Sequence, residues 1–399
     1  MRKKTIKDLD DAQVRGKRAL VRVDFNVPLD DKGEITDDTR IRASLPTIKQ
    51  LLDRQSRPVI LSHLGRPKGK PESKYSLQPV ARRLQELAGC NVVFLESTDS
   101  DEAYKASHNL KNGEVLLLEN TRFLGGEEKN DQRLSRSLAE LGDFFVNDAF
   151  GSAHRAHSST VGVAEFLRPA VAGLLMEKEL EYLDAALANP KRPFVAILGG
   201  AKISGKIDVI EQLLPKVDAL LIGGAMACTF YRAMGLETGK SLVEEDRVEM
   251  AKSLLDRAGA RLTLPHDAMV APSLEQAAQA KAVKRDAIPK DQAMFDIGPQ
   301  SVQSYSRAIA SAKTVVWNGP MGVFETPPFD AGTNGIARAM AEATAKGATT
   351  IVGGGDSAAA VSEAGLESKM SHVSTGGGAS LEFLEGKQLP GVEILDEAR

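Results

Sequence analysis

Cysteine is nearly absent. Cys90 and Cys228 are the only two in 399 residues, far apart and without the CxxC or ligand spacing of a zinc or redox site. This argues against a disulfide scaffold and structural zinc, and for a reduced, cytoplasmic compartment. Long apolar runs are missing too: no stretch approaches the roughly 20 residues of a membrane span, and the basic start MRKKTIKDLDDAQVRGKRALV lacks the apolar core of a secretory signal. The expectation is a chain neither secreted nor membrane-spanning. Nor is either charge in excess, since 51 Lys and Arg face 54 Asp and Glu for a formal net charge of -3. Nothing draws the whole molecule to nucleic acid or lipid, so any anion site must be a local gathering of cations.

What the chain has in quantity is short β-branched apolar runs followed by helical spacing, the pattern of βα units in parallel sheets. The first half offers strands at 18–28, 57–67, 91–97, 114–123 and 143–150; the second at 193–200, 219–224, 261–267, 314–320, 349–356 and, more weakly, 370–378. At 399 residues one core would be oversized. The expected fold is therefore α/β, two doubly wound, Rossmann-like parallel-sheet domains. Between them, GLLMEKELEYLDAALANPKRP has helical spacing and an Asn189-Pro190 stop. It reads as an interdomain helix over 174–190, with domains at 1–173 and 191–385; the alternative is one more surface helix of the first domain.

Ligands of open α/β sheets bind at the carboxyl ends of the strands, where loops converge and helix N-termini point in. There the first half places Asp24, Asn26, His63, Arg66, Asn120, Arg122 and the segment GSAHRAHSST (151–160). That segment admits three readings: a metal site from His154-x-x-His157, an acid-base catalyst, or one wall of an anion cradle. Metal ligation wants neutral histidines without guanidiniums nearby, whereas converging arginines suit bidentate recognition of phosphate or carboxylate. The cradle is favoured.

The second half ends its strands in glycines. GAKISGK (200–206) satisfies G-x-x-x-x-G-K, yet Ile207 stands where a P-loop needs Ser or Thr for magnesium. What survives is small residues before a helix N-terminus, with Lys202 and Lys206 four apart on one helical face, against the alternative of lysines on a solvated surface. In GGGDS (353–357), Asp356 reads as a carboxylate for a largely hydrated Mg²⁺ or as a helix N-cap. WNGPMGVFE (317–325) reads as a base or ribose pocket, or as a plain tight turn. A small-anion cradle together with a polyphosphate cradle suggests phosphoryl transfer, in which positioning and charge neutralisation do most of the catalysis. An NAD-linked oxidoreductase is the rival, but no G-x-G-x-x-G with a following acidic residue is present. A phosphate-binding protein without activity is a third reading.

RVDFNVP, DDTRIRASLPTI, LSHLGRP, LLENTRF, NDAFGSAHRAHSS, GGAKISGKI, WNGPMGVFE, GGGDS and STGGGASLEFL, in this order, resemble the phosphoglycerate kinase family over the whole chain. The resemblance implies reversible transfer of the acyl phosphate of 1,3-bisphosphoglycerate to Mg-ADP, giving 3-phosphoglycerate and ATP, in glycolysis and gluconeogenesis. It implies a substrate site of Asp24, Phe25, Asn26, Arg40, His63, Leu64, Gly65, Arg66, Arg122 and Arg155. It implies a nucleotide site of Gly200, Ala201, Lys202, Lys206, Asn318, Pro320, Glu325, Gly353, Gly354, Gly355, Asp356 and Ser357, with Mg²⁺ accompanying ATP or ADP at Asp356. Arg40 and Lys202 would stabilise the transferring phosphoryl group. A hinge-bending monomer whose tail, about 386–399, returns to the first domain is also implied, without nucleic-acid or membrane partners. Two departures from the family pattern are Ala225, where a third glycine is frequent, and Ser357, where threonine is common.

Overall fold

The computed structural model describes residues Arg2–Ala398. It divides into two compact units, residues up to Glu181 together with those from Gln388 onward, and Tyr182–Lys387. The division falls inside the helix Leu174–Ala188.

In the first unit six strands, β1 (Arg18–Arg22), β2 (Arg57–Leu61), β3 (Asn91–Leu95), β4 (Glu114–Leu118), β5 (Phe144–Asn147) and β6 (Ala170–Ala172), form one parallel sheet in the order β3-β4-β2-β1-β5-β6. The inner strands read RALVR, RPVIL, EVLLL and FFVN and are buried almost throughout, as a sheet covered on both faces requires. The central β1 holds Leu20 against Val59 of β2 on one side and Phe145 of β5 on the other. The chain thus leaves β1 in two directions, and its loops part to open a crevice at the carboxyl edge. Val21, Phe25, Ile41, Ile60, Leu64 and Val146 belong to the core that supports this edge. β6 has only three residues, too few to announce a strand. It is stitched to both chain ends: the Asp396 amide donates to Ala170 O, and the Ala172 amide donates to Lys4 O.

The second unit holds a second six-stranded parallel sheet, from β7 (Phe194–Leu198), β8 (Ala219–Ile222) and β9 (Leu262–Thr263) to three later strands. It also departs from the expected single sheet. The run RLTLPHD is interrupted at Leu264-Pro265, and β10 (Asp267–Ala271) pairs antiparallel with β11 (Lys281–Lys284) and β12 (Ala293–Ile297). β11, sequence KAVK, is mostly exposed, so it lacks the apolar run that marks the other strands. With β13 (Thr314–Asn318), β14 (Thr349–Gly353) and β15 (His372–Val373), the parallel order is β15-β14-β13-β7-β8-β9. No helix is long and apolar enough to cross a membrane among the described residues.

Candidate functional site

Since β4, β2, β1 and β5 are neighbours, the four loops at their carboxyl ends lie side by side. They are tied to one another by side chains. Asp24 accepts Arg40 Nη1 at 2.5 Å and the Asn26 amide at 3.2 Å, Asn26 Oδ1 accepts the Gly65 amide at 2.8 Å, and Arg122 Nη1 donates to Gly65 O at 2.8 Å. Burial alone would raise the Asp24 carboxyl, but Arg40, His63 and Arg22 together hold it below the usual range. Phe25 and Leu64 are buried in the core; the Phe25 amide donates to Ser62 Oγ, its carbonyl accepts from the Val27 amide, and Leu64 O accepts from Asn120 Nδ2, so both brace the loops rather than face the crevice.

The cations predicted from the strand ends do gather. Arg122 is buried and feels the charge of Arg155, while Glu128 Oε1 lies 3.4 Å from its Nε. Arg66 and Arg155 are exposed, and neither has a carboxylate ion pair among the described residues; Arg155 Nε donates to His154 Nε2 at 3.1 Å. Burial pushes His63 well below its ordinary value, with Asp24 opposing and Arg22, Arg122 and Arg40 adding to the effect. Burial, then Arg22, Arg122, Arg155 and His154, push His157 down to about 3. The His157 ring is therefore neutral at pH 7 and far from titrating there, which disfavours it as an acid-base catalyst. A metal cation beside three guanidiniums would be repelled, which disfavours the His154-x-x-His157 metal reading. An anion is what this field attracts.

Arg22 lay outside the predicted set. It is wholly buried, with Nε donating to Ser159 Oγ at 2.7 Å and Nη2 within 3.2 Å of His63 Nδ1. Ser159 in turn donates to Glu127, Oγ to Oε1 at 2.5 Å and amide to Oε2 at 3.0 Å. The available signal was an arginine at the end of the otherwise apolar β1, a charge that must be partnered if buried.

In the second unit, β15, β14, β13 and β7 are neighbours, and their loops line a cavity of about 330 Å³. Gly200, Ala201, Lys202, Lys206, Asn318, Pro320, Gly354, Gly355, Asp356 and Ser357 all line it. Two of the turns interlock through their backbones. A Cβ on Gly199 would stand 2.1 Å from Pro320 O, and one on Gly319, at φ +92°, 2.2 Å from Gly199 O. The Gly200 amide donates to Pro320 O at 2.9 Å, and the Gly319 amide to Ser357 Oγ at 2.6 Å, so the serine hydroxyl braces the turn.

Several expectations need correction. The helix after β7 begins only at Ile207, with Lys206 as its N-cap, so Lys202 and Lys206 lie in the loop rather than on one helical face. The loop is held out of the helix by Ser204, whose amide and Oγ both donate to Glu244. Lys206 Nζ donates to Asn318 Oδ1, and burial pushes the lysine down to about 8 against the opposing charges of Asp356 and Glu385. Asp356 is not the N-cap: Gly354 is, and Asp356 sits exposed in the first turn of Gly355–Glu363 without a capping bond. Trp317 is fully buried and closes its own turn, Nε1 donating to Gly319 O at 2.8 Å, so it offers no face to a base. Glu325 and Gly353 do not line the cavity; Gly353 ends β14, and Glu325 is exposed farther along its loop. Ala225 has ordinary helical backbone angles (φ −64°, ψ −21°), so its methyl brings no strain. The cavity wall also includes Gly377, Gly378 and Leu381, residues of the STGGGASLEFL string not assigned to the site; glycines opening a helix after a strand were the signal.

The sequence model of the phosphoglycerate kinase family matches residues 9–387. The phosphoglycerate kinase of Chloroflexus aggregans is 60% identical over 403 residues, covering 100% of both chains. The cytosolic phosphoglycerate kinase of Triticum aestivum is 56% identical over 99% of each chain. The solved structure of phosphoglycerate kinase from Coxiella burnetii matches with a TM-score of 0.86 at 43% identity, covering 99% of each chain. With the family model spanning almost the whole chain and such identity running end to end, this chain belongs to the phosphoglycerate kinase family.

Proposed function

We propose that the chain carries out the family's reaction, reversible transfer of the acyl phosphate of 1,3-bisphosphoglycerate to Mg-ADP, with the first unit binding the phosphoglycerate and the second the nucleotide. The observation that carries this division is the contrast between the two sets of loops. The first presents exposed Arg66 and Arg155, neither with a carboxylate ion pair among the described residues, together with a buried Arg122 that feels the charge of Arg155, a setting for a small polyanion. The second surrounds its cavity with glycine backbone, Lys202 and Lys206, a setting for a phosphate chain. Arg40 and Lys202 are the groups assigned to the transferring phosphoryl charge. A carboxylate acceptor is ionised at pH 7 and needs no general base, in keeping with histidines that stay neutral.

The residues at the cavity also suit magnesium arriving with the nucleotide. Mg²⁺ keeps much of its water and uses one or two carboxylates plus substrate phosphates, and the exposed Asp356 beside the glycine turn supplies one such carboxylate. Bound there, the metal would neutralise phosphate charge. Transfer without loss to water requires the two phosphates in contact and solvent excluded, so the reading includes hinge closure about 174–193 with both substrates bound. A cytoplasmic monomer completes it, supported by the cytosolic relative and the two unpaired cysteines.

A coupled assay tests the whole reading: ATP must form from 1,3-bisphosphoglycerate and Mg-ADP. Asp356→Asn should weaken Mg-ADP binding much more than metal-free ADP or 3-phosphoglycerate binding. Equal loss for ADP with and without metal would remove Asp356 from the magnesium role.

A further inference from the structure

We infer that Arg22 is a positioning residue that fixes the tautomer of His63, so that the imidazole offers an Nε2–H donor to the bound phosphoglycerate. The inference rests on the reading of the first unit as the phosphoglycerate site. Its physical basis is the donor inventory: a guanidinium has five N–H donors, no acceptor, and stays protonated in proteins. Arg22 Nη2 and His63 Nδ1 lie 3.2 Å apart, so a hydrogen bond between them has one possible sense, with Nδ1 accepting. A neutral ring whose Nδ1 accepts carries its proton on Nε2.

Arg22 is itself held in place. Its Nε donates to Ser159 Oγ, its Nη1 to Val23 O, and Ser159 links it to the Glu127 carboxylate by two further hydrogen bonds. With no exposed surface and bonds on three sides, Arg22 cannot reach a ligand itself. It acts through the ring beside it. The polarity matters because phosphate and carboxylate oxygens are acceptors. A ring that turned a bare nitrogen lone pair toward them would repel the anion the neighbouring arginines attract, whereas Nε2–H adds a donor without adding a charge. Positive charge is already supplied by Arg22, Arg122 and Arg40, which together with burial keep the ring neutral.

The test is ¹⁵N spectroscopy of the imidazoles in the intact protein, with the His63 signals among the six histidines assigned by their loss in His63→Gln. At pH 7 the wild-type ring should show a protonated Nε2 and an unprotonated Nδ1. In Arg22→Met it should show averaged shifts of mixed tautomers. KM for 3-phosphoglycerate should then rise about tenfold, the lower end for loss of a hydrogen bond to a charged group, with KM for Mg-ATP unchanged. A wild-type ring protonated on Nδ1, or on both nitrogens, would overturn the inference, and that measurement stands even if Arg22→Met fails to fold. So would an Arg22→Met ring still wholly in the Nε2–H form. Addition of 3-phosphoglycerate to the wild type separates this inference from the reading beneath it: an Nε2–H ring whose signals ignore the ligand keeps the tautomer and refutes the site.

Discussion

Lys206 permits a prediction with a sign and a size. Burial pushes its ammonium from the ordinary 10.5 down to about 8, against the opposing charges of Asp356 and Glu385. Without nucleotide it is then roughly nine-tenths charged at pH 7, half at pH 8 and about one-tenth at pH 9. A phosphate chain in the glycine cavity favours the charged form, so binding draws the lysine's value back up and takes up protons near pH 8. ADP affinity should therefore fall about tenfold from pH 7 to pH 9, equivalent to about 1.4 kcal/mol. Titration calorimetry in buffers of different ionisation heat should show uptake of about half a proton at pH 8. Lys206→Met should bind ADP more weakly at pH 7 and lose this pH dependence, while 3-phosphoglycerate affinity should not inherit it. The effect on folding has the opposite direction. A lysine lowered by folding binds fewer protons in the folded state between about 8 and 10.5, so its contribution to stability improves as pH rises across that window. Wild-type ADP affinity that is flat from pH 7 to 9, with no proton uptake, would refute the placement of Lys206 against the phosphates.

Three further outcomes follow from specific contacts. Arg155→Lys keeps the charge but loses the planar fork, and should weaken 3-phosphoglycerate binding about ten- to hundredfold by calorimetry; unchanged binding would take Arg155 out of the cradle. Gly199→Ala would put a methyl 2.1 Å from Pro320 O, a backbone atom that cannot swing aside, so about 1–3 kcal/mol of stability and most nucleotide affinity should be lost; nucleotide affinity equal to wild type would show that the interlocked turns do not shape the site. Asp148 is buried at the end of β5, where Oδ1 accepts the amides of Leu175 and Met176, and burial raises its carboxyl to about 6. Its folded-state value lies above the unfolded 3.8, so stability from this group is greatest in acid and declines as pH rises from about 4 through 6, by about 3 kcal/mol in all. In Asp148→Asn, which keeps an oxygen for both amides, the stability difference from wild type should shift by most of that amount, about 2.4 kcal/mol, between pH 4 and 7 in urea titrations; a constant difference would rule the effect out.

The parts legible in the sequence were those dictated by short-range rules. Buried parallel strands must be apolar runs, and their carboxyl ends must carry the chemistry, so RALVR followed by VDFN, or TVVWN followed by GP, could be read directly. What escaped depends on partners distant in sequence. Lys202 and Lys206 have the spacing of a helical face, yet Glu244, forty residues on, captures Ser204 and delays the helix to Ile207. Asp356 has the sequence context of an N-cap, yet Gly354, at φ +89°, takes that position and releases the carboxylate to the cavity edge. The exposed β11 has no apolar run to betray it, and β6 is three residues held by both chain ends.

Arg22 shows the same limit at the crevice of the first unit. A charge at the end of an apolar strand signals a buried partner but not its identity, and the partners came from segments more than a hundred residues downstream, at Glu127 and Ser159. Its neighbour Asp24, two positions on, was legible as a polar residue just past a buried strand, and its ion-pair partner Arg40 lies only sixteen residues along the chain. The two residues thus divide the work that β1 can do. Arg22, the last residue of the strand, is wholly buried and neutralised by the fold, whereas Asp24 just beyond it pairs with Arg40. In the second unit the boundary falls one residue earlier: Trp317, the penultimate residue of β13, is used up by its own turn, and Asn318, the last, meets Lys206 at the cavity. In both sheets, then, the boundary between structural and ligand-facing side chains falls within one or two residues of the strand end, closer than apolar patterning alone can resolve.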